Sequence, residues 1–317
     1  MNLSPAVDPT MYFIGVSTGR SSIQRVFIEW ARILGRPEAK LQGIDLPVHA
    51  DPERYQEVTA FIREDPRSLG ALVTTHKVDL YRACTSLFDE IDVYAELLHE
   101  VSSLSKTEVG LRAAAKDPIS SGLSMAAFIP DDHWRGGTPY AVILGAGGSS
   151  LALACHIAHR YGSDGGPARI VVSNRSIGRL AEFESVYRSL GEAPGLELVH
   201  APTPDVNDRL VASAPRGSLV VNATGLGKDA PGSPLTSRAR FPQDGIAWDF
   251  NYRGDLVFLD QARAQQHERH LRIEDGWVYF LHGWTQVISE VLGIEIPAQG
   301  PLFDRLAAAA AAVRIGR

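Results

Sequence analysis

The residues best placed to do chemistry are Gly145, Ala146, Gly147, Gly148, Ser149 and Ser150, which follow the apolar run YAVIL and open the apolar-periodic stretch LALACHIA. A strand that turns into a helix through glycine makes a cradle for a pyrophosphate. Gly145 permits the tight turn, Gly147 lets backbone approach the phosphates, and Ser150 is small enough for helix to pack on strand. The helix start adds unpaired amides and the positive end of its dipole. An ordinary strand-to-helix turn is the plain counterpart, and the apolar strand and helix on either side favour the dinucleotide reading.

Further along, SNRSIGR puts Asn174, Arg175, Ser176 and Arg179 where a ribose reader is expected, roughly 20–30 residues past the loop, and supplies no Asp or Glu. Guanidiniums with a hydroxyl suit a 2'-phosphate, whose charge is about −2. The expected cofactor is NADP, with NAD less favoured; solvated arginines at a helix start are the alternative. LVVNATGLG then ends an apolar strand in Asn222, Ala223, Thr224 and Gly225. Such a turn lies where open α/β sheets bind ligands, although alone it is only a turn.

Strands and helices able to hold these loops alternate along the chain. Tyr12 to Val16 reads as a strand and the segment from Ser21 to Leu34 as a helix with Ile23, Val26, Phe27, Trp30 and Leu34 on one face. Strand 41–46, helix 52–63, strand 69–75 and a helical stretch 78–97 follow. A polar segment with paired glycines, 129–139, separates this block from a second one. There the strands are 140–144, 169–173, 196–201, 218–222 and 246–250, with helices at 149–161 and 178–190. Helices at 280–292 and 302–313 close the chain. This alternation is the mark of an α/β protein with parallel or mixed sheets.

The chain has 317 residues, 44% apolar and 21% charged, enough for two domains with their own cores. Only two cysteines occur, Cys84 and Cys155, far apart in apolar surroundings, which suits a reducing compartment and gives no metal-ligand spacing. The start, MNLSPAVDPTM, has neither a basic region nor an apolar run, and no segment approaches the roughly 20 apolar residues of a membrane span. A cytoplasmic protein is expected, with no membrane partner. With 37 acidic against 31 basic residues, a net charge of −6, nucleic acid is not an expected partner either.

Taken together, GAGGSS, SNRSIGR and VVNATGLG resemble, in order and spacing, the GAGGA, NRT and NATP-G-M segments of the shikimate and quinate dehydrogenase family. WDFNY falls where that family has D-x-x-Y, and Gly276 where it has a late glycine. The resemblance runs from Gly15 to about Leu292. It implies an N-terminal α/β substrate-binding domain with a mixed, mostly parallel sheet and a Rossmann-type NADP-binding domain. The C-terminal helices would return to the first, giving 1–130 with 278–317 and 131–277. It also implies the catalytic pair. The family's lysine closes N-V-T-x-P-x-K, and GALVTTHK puts Lys77 there, beside Thr74; the partner carboxylate maps onto Asp117. A carboxylate beside an ammonium orients it, and the pair can exchange the hydroxyl proton while hydride moves at carbon. No metal is implied. Without the resemblance, Lys77 is a solvated lysine and Asp117 a helix cap. Lys116 reads as a surface charge.

The substrate motifs depart from the family. Its G-x-P-I-x-H-S-x-S-P becomes GVSTGRSSIQ, which keeps Ser21, replaces the second serine by Ile23 and the histidine by Arg20. Arg20 suits a carboxylate or is a solvated turn residue. V-N-T becomes VSS, with Ser102 for the asparagine, and the late glutamine becomes Gly283, with Gln286 one turn on. Tyr252 matches the family tyrosine. His76 is read as structural. The expected substrate is a small cyclic polyol or hydroxy acid: shikimate with its 3-dehydro ketone, quinate or another cyclitol. A catalytically silent NADP-binding sensor is the alternative of another class, and a folate or amino-acid-derived substrate another enzymatic one. A homodimer is carried as an expectation.

Overall fold

The computed structural model describes residues 3–315 except Asp131, Gly136, Asp164 and Asp229, with the side chains of Arg314 and Ile315 left out. The first ten elements are β1 (Thr10–Gly15), α1 (Ile23–Ile33), β2 (Lys40–Asp45), α2 (Pro52–Glu64), β3 (Ser68–Val73), α3 (Lys77–Cys84), β4 (Glu90–Ile91), α4 (Val93–Leu98), β5 (Ser103–Thr107) and β6 (Gly110–Ala114). Then come α5 (Asp117–Ala126), β7 (Tyr140–Leu144), α6 (Gly148–Tyr161), β8 (Arg169–Asn174), α7 (Ile177–Arg188), β9 (Gly195–His200), α8 (Pro204–Ser213), β10 (Leu219–Asn222) and β11 (Ile246–Asp249). The last are α9 (Val257–Arg263), α10 (Gln266–Arg269), β12 (Arg272–Glu274), α11 (Trp277–Leu292) and α12 (Pro301–Ile315). Two compact units result: Met1–Lys116 with Leu281–Arg317, and Asp117–Phe280.

In the first unit the sheet order is β2-β1-β3-β5-β6-β4. β1 is buried along its whole length and lies parallel to β2 and β3. β5 runs antiparallel to β3 and β6, and β4 pairs parallel with β6, so one strand of the sheet opposes the rest. Tyr12, Ile14, Val58, Ile62, Leu80 and Leu104 share its core. The apolar face of α1 is Ile23, Val26, Phe27 and Trp30, the i, i+3, i+4, i+7 pattern of a helix buried on one side. Trp30 donates its Nε1–H to the Leu306 carbonyl of α12 at 2.7 Å.

The second unit has an all-parallel sheet in the order β12-β11-β10-β7-β8-β9. From β7 the chain winds outward one way to β9, then returns to start again at β10. The boundary between the halves is the switch point where doubly wound sheets take ligands. Buried β7, β10 and β11 are almost wholly apolar, as strands covered on both faces must be. The segment 129–139 contributes Ile129 and Trp134 to this unit's core.

The α/β class and the mixed first sheet are as the sequence implies. Two local expectations are corrected. The helical stretch 78–97 is broken into α3, a 3-10 turn at Thr85–Leu87, β4 and α4. Asp89 donates its N–H to Leu111 O of β6 and accepts from Leu111 N–H through its carboxylate, while Asp92 caps α4 by accepting from Ala95 N–H at 2.6 Å. The hairpin β5–β6 carries no sequence signal, because Ser103, Ser105, Ala113 and Ala114 fill its buried places and erase the apolar alternation.

Candidate active site

In the second unit the carboxyl ends of β7, β8 and β10 converge. Gly145 N–H donates to Ser173 O at 2.8 Å, and Ala223 N–H donates to Leu144 O at 2.9 Å. Gly145 has φ +108°, and a Cβ there would lie 2.9 Å from Ala223 O, so this position excludes other residues on both conformation and space. Gly147 precedes α6 and Gly148 is its first residue; both are exposed, and a Cβ on Gly147 would meet nothing within 4 Å. Ala146 is buried and Ser149 half-buried. Ser150 is fully buried, and its hydroxyl meets no partner among the described residues. The bare, outward-facing helix start at a switch point fits a pyrophosphate.

At the neighbouring β8 end, Ser176 caps α7 by accepting from Arg179 N–H at 3.4 Å, and Asn174 donates to Ser176 O at 3.3 Å. The two arginines differ. Arg179 is paired with Glu182 at 3.1 Å, whereas exposed Arg175 has no ion pair among the described residues. His200, which closes β9, holds the Arg175 carbonyl through Nε2 at 3.2 Å. Nothing in the sequence marks His200 beyond its place at a strand end.

The 222–226 turn is held from within. Buried Asn222 donates to Asp249 Oδ2 at 3.1 Å and to Leu226 O at 3.2 Å, and accepts from the Thr224 hydroxyl at 2.7 Å and amide at 3.2 Å. Its side chain is therefore committed to shaping the turn, which leaves Ala223, Thr224 and Gly225 (φ +75°) as the accessible part. Asp249 also accepts from Asn251 N–H at 2.8 Å. Burial dominates over these amide donors and pushes its carboxyl up to about 6. Sequence reasoning matched Asp249 to a motif without a role; the structure makes it the anchor of the turn. Nearby, a Cβ on Gly276 would strike the Phe250 carbonyl. Tyr252 packs its ring on Phe280 and Trp277, with centroids 4.7 and 5.5 Å away.

In the first unit the candidate residues gather at the carboxyl ends of β1, β3 and β6. The 3-10 turn Thr18–Arg20 follows β1 and is fastened to β2 by Asp45, which accepts from Thr18 N–H at 2.8 Å and from its hydroxyl at 2.5 Å. Arg20 is exposed, Ser21 and Ser22 are half-buried, and Ile23 lies wholly in the core. Thr74, just past β3, donates through its amide and hydroxyl to Ile14 O at 3.0 and 3.2 Å. Half-buried Lys77 begins α3, its amide on Thr74 O and its carbonyl on Val101 N–H. Gln286 is half-buried on α11, and Gly283 leaves open space where a Cβ would stand.

Two residues behave differently from their sequence reading. The buried Ser102 hydroxyl accepts from Lys116 N–H at 2.7 Å, so it ties β5 to the chain leading to Asp117 instead of standing free for a ligand. Lys116 is no surface charge: its side chain is 11% exposed and pairs with Glu290 at 2.6 Å, which Arg112 also meets at 3.3 Å. Asp117 itself, buried, is the first residue of α5 and belongs to the second unit. Among the described residues no group of three or more metal-ligating side chains occurs, and no helix is long and apolar enough to cross a membrane.

No protein-family model matches the chain. It is 34% identical over 146 residues to the shikimate dehydrogenase (NADP(+)) of Rhodopseudomonas palustris strain BisB5, covering 46% of this chain and 44% of that protein. The corresponding protein of Symbiobacterium thermophilum is 34% identical over 126 residues, covering 39% and 40%. The chain thus spans less than half the length of these curated relatives. Quinate dehydrogenase from Corynebacterium glutamicum, in complex with NAD, superposes with a TM-score of 0.73 at 18% identity, over 96% of this chain and 99% of that one. Shikimate dehydrogenase from Thermus thermophilus, in complex with NADP(H) and shikimate, gives 0.69 at 22%, with the same coverage. The fold is that of the shikimate and quinate dehydrogenases, as the motifs imply.

Proposed function

We propose that the protein is an NADP-dependent oxidoreductase interconverting a cyclic polyol alcohol and its ketone, with shikimate or a related cyclitol as substrate. The reading rests above all on the bare glycine cradle at the switch point between β7 and β10. The relatives' names, shikimate dehydrogenase (NADP(+)), agree with it. Bound there, the nicotinamide supplies the hydride acceptor and donor.

The amides of Gly147, Gly148 and Ser149 would bind the pyrophosphate, and Arg175, with no ion pair among the described residues, the 2'-phosphate. The Asn222-shaped turn would offer Ala223, Thr224 and Gly225 to the nicotinamide end. Lys77 Nζ takes the hydroxyl proton as the alcohol is oxidised and returns it in reduction; the resemblance gives Asp117 the carboxylate role. Arg20 and Ser21 would hold the substrate carboxylate, with Thr74, Tyr252 and Gln286 as further substrate residues. Because Ile23 is core and Ser102 is committed internally, the ring hydroxyls are read by fewer side chains than the family motif supplies. A ring substituted differently from shikimate is thereby favoured.

The test is absorbance of the reduced nicotinamide with NADP or NAD against shikimate, quinate and a panel of cyclitols. Turnover with NADP on at least one is expected. NADP binding with no turnover on any would sink the oxidoreductase reading in favour of a sensor.

A further inference from the structure

One buried polar cluster in the first unit is not used by the chemistry above. His76 stands between Thr74, at the end of β3, and Lys77, at the start of α3, and is 1% exposed. Its Nδ1 lies 3.0 Å from the hydroxyl of Tyr55, itself buried on α2, with ring centroids 5.6 Å apart. Nε2 is buried and makes no in-line hydrogen bond. The groups facing the imidazole are the peptide oxygens of Gly15 and Leu46, with Asp79 of α3 and His49 as its charged neighbours. Those two pair with each other at 2.9 Å, which keeps the Asp79 charge engaged outside the cluster.

This arrangement fixes a tautomer. A lone pair on Nε2 against two carbonyl oxygens would be repulsive, so Nε2 carries the proton and Nδ1 accepts from Tyr55 O–H. Burial, the largest influence, lowers the imidazole's basicity and keeps it neutral. The facing oxygens mark the carboxyl ends of β1 and β2, joined there by Leu46 N–H on Gly15 O at 2.8 Å. From Gly15 the chain enters the turn that carries Arg20 and Ser21.

We propose that His76 is a positioning residue: held by Tyr55, it presents Nε2–H to the Gly15 and Leu46 carbonyls and sets the Gly15–Ser21 turn relative to Lys77. It thus makes substrate binding depend on a side chain that never touches substrate. The inference rests on the oxidoreductase reading, in which that turn holds the substrate and Lys77 the reacting proton.

The experiment compares wild type with His76→Phe, which keeps a ring but neither nitrogen, Tyr55→Phe, which removes one hydroxyl, and His76→Gln, whose amide restores a donor. Steady-state kinetics are run with the cyclic alcohol that wild type turns over best. The expected result is a substrate KM raised about tenfold in His76→Phe and about threefold in Tyr55→Phe, with kcat and the NADP KM within about twofold and His76→Gln returned toward wild type. An unchanged substrate KM in both phenylalanine variants overturns the proposal, as does an equal rise in both KM values, which a purely structural role would give. If His76→Phe does not fold, Tyr55→Phe and His76→Gln decide. A wild type silent on the whole panel is a different result and overturns the oxidoreductase reading together with this one.

Discussion

The carboxyl edges of the two sheets are built on different principles. In the second unit the edge is shaped by backbone: Gly145 at φ +108° against Ala223 O, exposed Gly147, and Gly276 pressed to the Phe250 carbonyl. In the first unit it is shaped by side chains bound to one another: Thr18 to Asp45, Ser102 to the Lys116 amide, His76 to Tyr55. A backbone-built site can keep its function only by keeping its glycines. A side-chain-built site can be rewired, since a hydroxyl or ring that loses one partner can find another. That is why the nucleotide motifs match their family so much better than the substrate motifs.

Two buried carboxylates extend the contrast. Asp65, in the first unit, would be raised by burial, but Tyr12 O–H at 2.6 Å, the amides of Arg67 and Ala6, and Lys106 hold it below the usual range. Asp249, equally buried, has only neutral amide donors from Asn222 and Asn251 and is pushed up to about 6. Burial alone does not set a carboxylate's charge; the donors around it do.

The largest effect should come from the first edge. Lys77→Ala is expected to lower kcat by about a hundredfold or more while NADP affinity stays the same. A loss of cofactor binding instead, measured by fluorescence titration, would show that this lysine serves the other edge.

Asp249 gives the next effect. Its folded pKa lies above the unfolded 3.8, so its contribution to stability is complete below that value and is lost as pH rises through about 6. The loss amounts to about 3 kcal/mol. Asp249→Asn should therefore gain on wild type by up to that amount between about pH 4 and 7 in urea unfolding. A pH-independent difference would mean the carboxylate is not protonated in this window.

Gly145→Ala tests the backbone edge directly. Strain at positive φ and contact with Ala223 O should weaken NADP about ten- to a hundredfold. Wild-type affinity would show that the turn can rearrange. The smallest effect is expected of Arg175→Ala, with NADP weakened about tenfold and NAD less than about twofold. Equal weakening of both would remove the 2'-phosphate assignment.

Much of the fold could be read without coordinates where the signal is local. Val142, Ile143 and Leu144 running into Gly145 specify strand, turn and helix within a few residues, and Ile23 to Trp30 specify one helical face. The signal failed where small or polar residues occupy buried places, as in β5 and β6, and where a distant group ends an element, as Asp89 and Asp92 do by bonding to the chain at β6 and just beyond it. It failed too for Lys116, whose partner Glu290 lies far along the chain.

The strand and helix order, the position of the glycine cradle, and the arginines where an acidic ribose reader would stand were all legible in the residues themselves, because periodicity and backbone conformation are local properties. Folding was needed to settle that Ile23 is core, that Ser102 is committed to Lys116, that Arg179 and not Arg175 is drawn into an ion pair among the described residues, and that His76 meets Tyr55. Each of those depends on a partner brought near only by the tertiary arrangement, and the availability of a polar side chain is set by that partner as much as by its own chemistry.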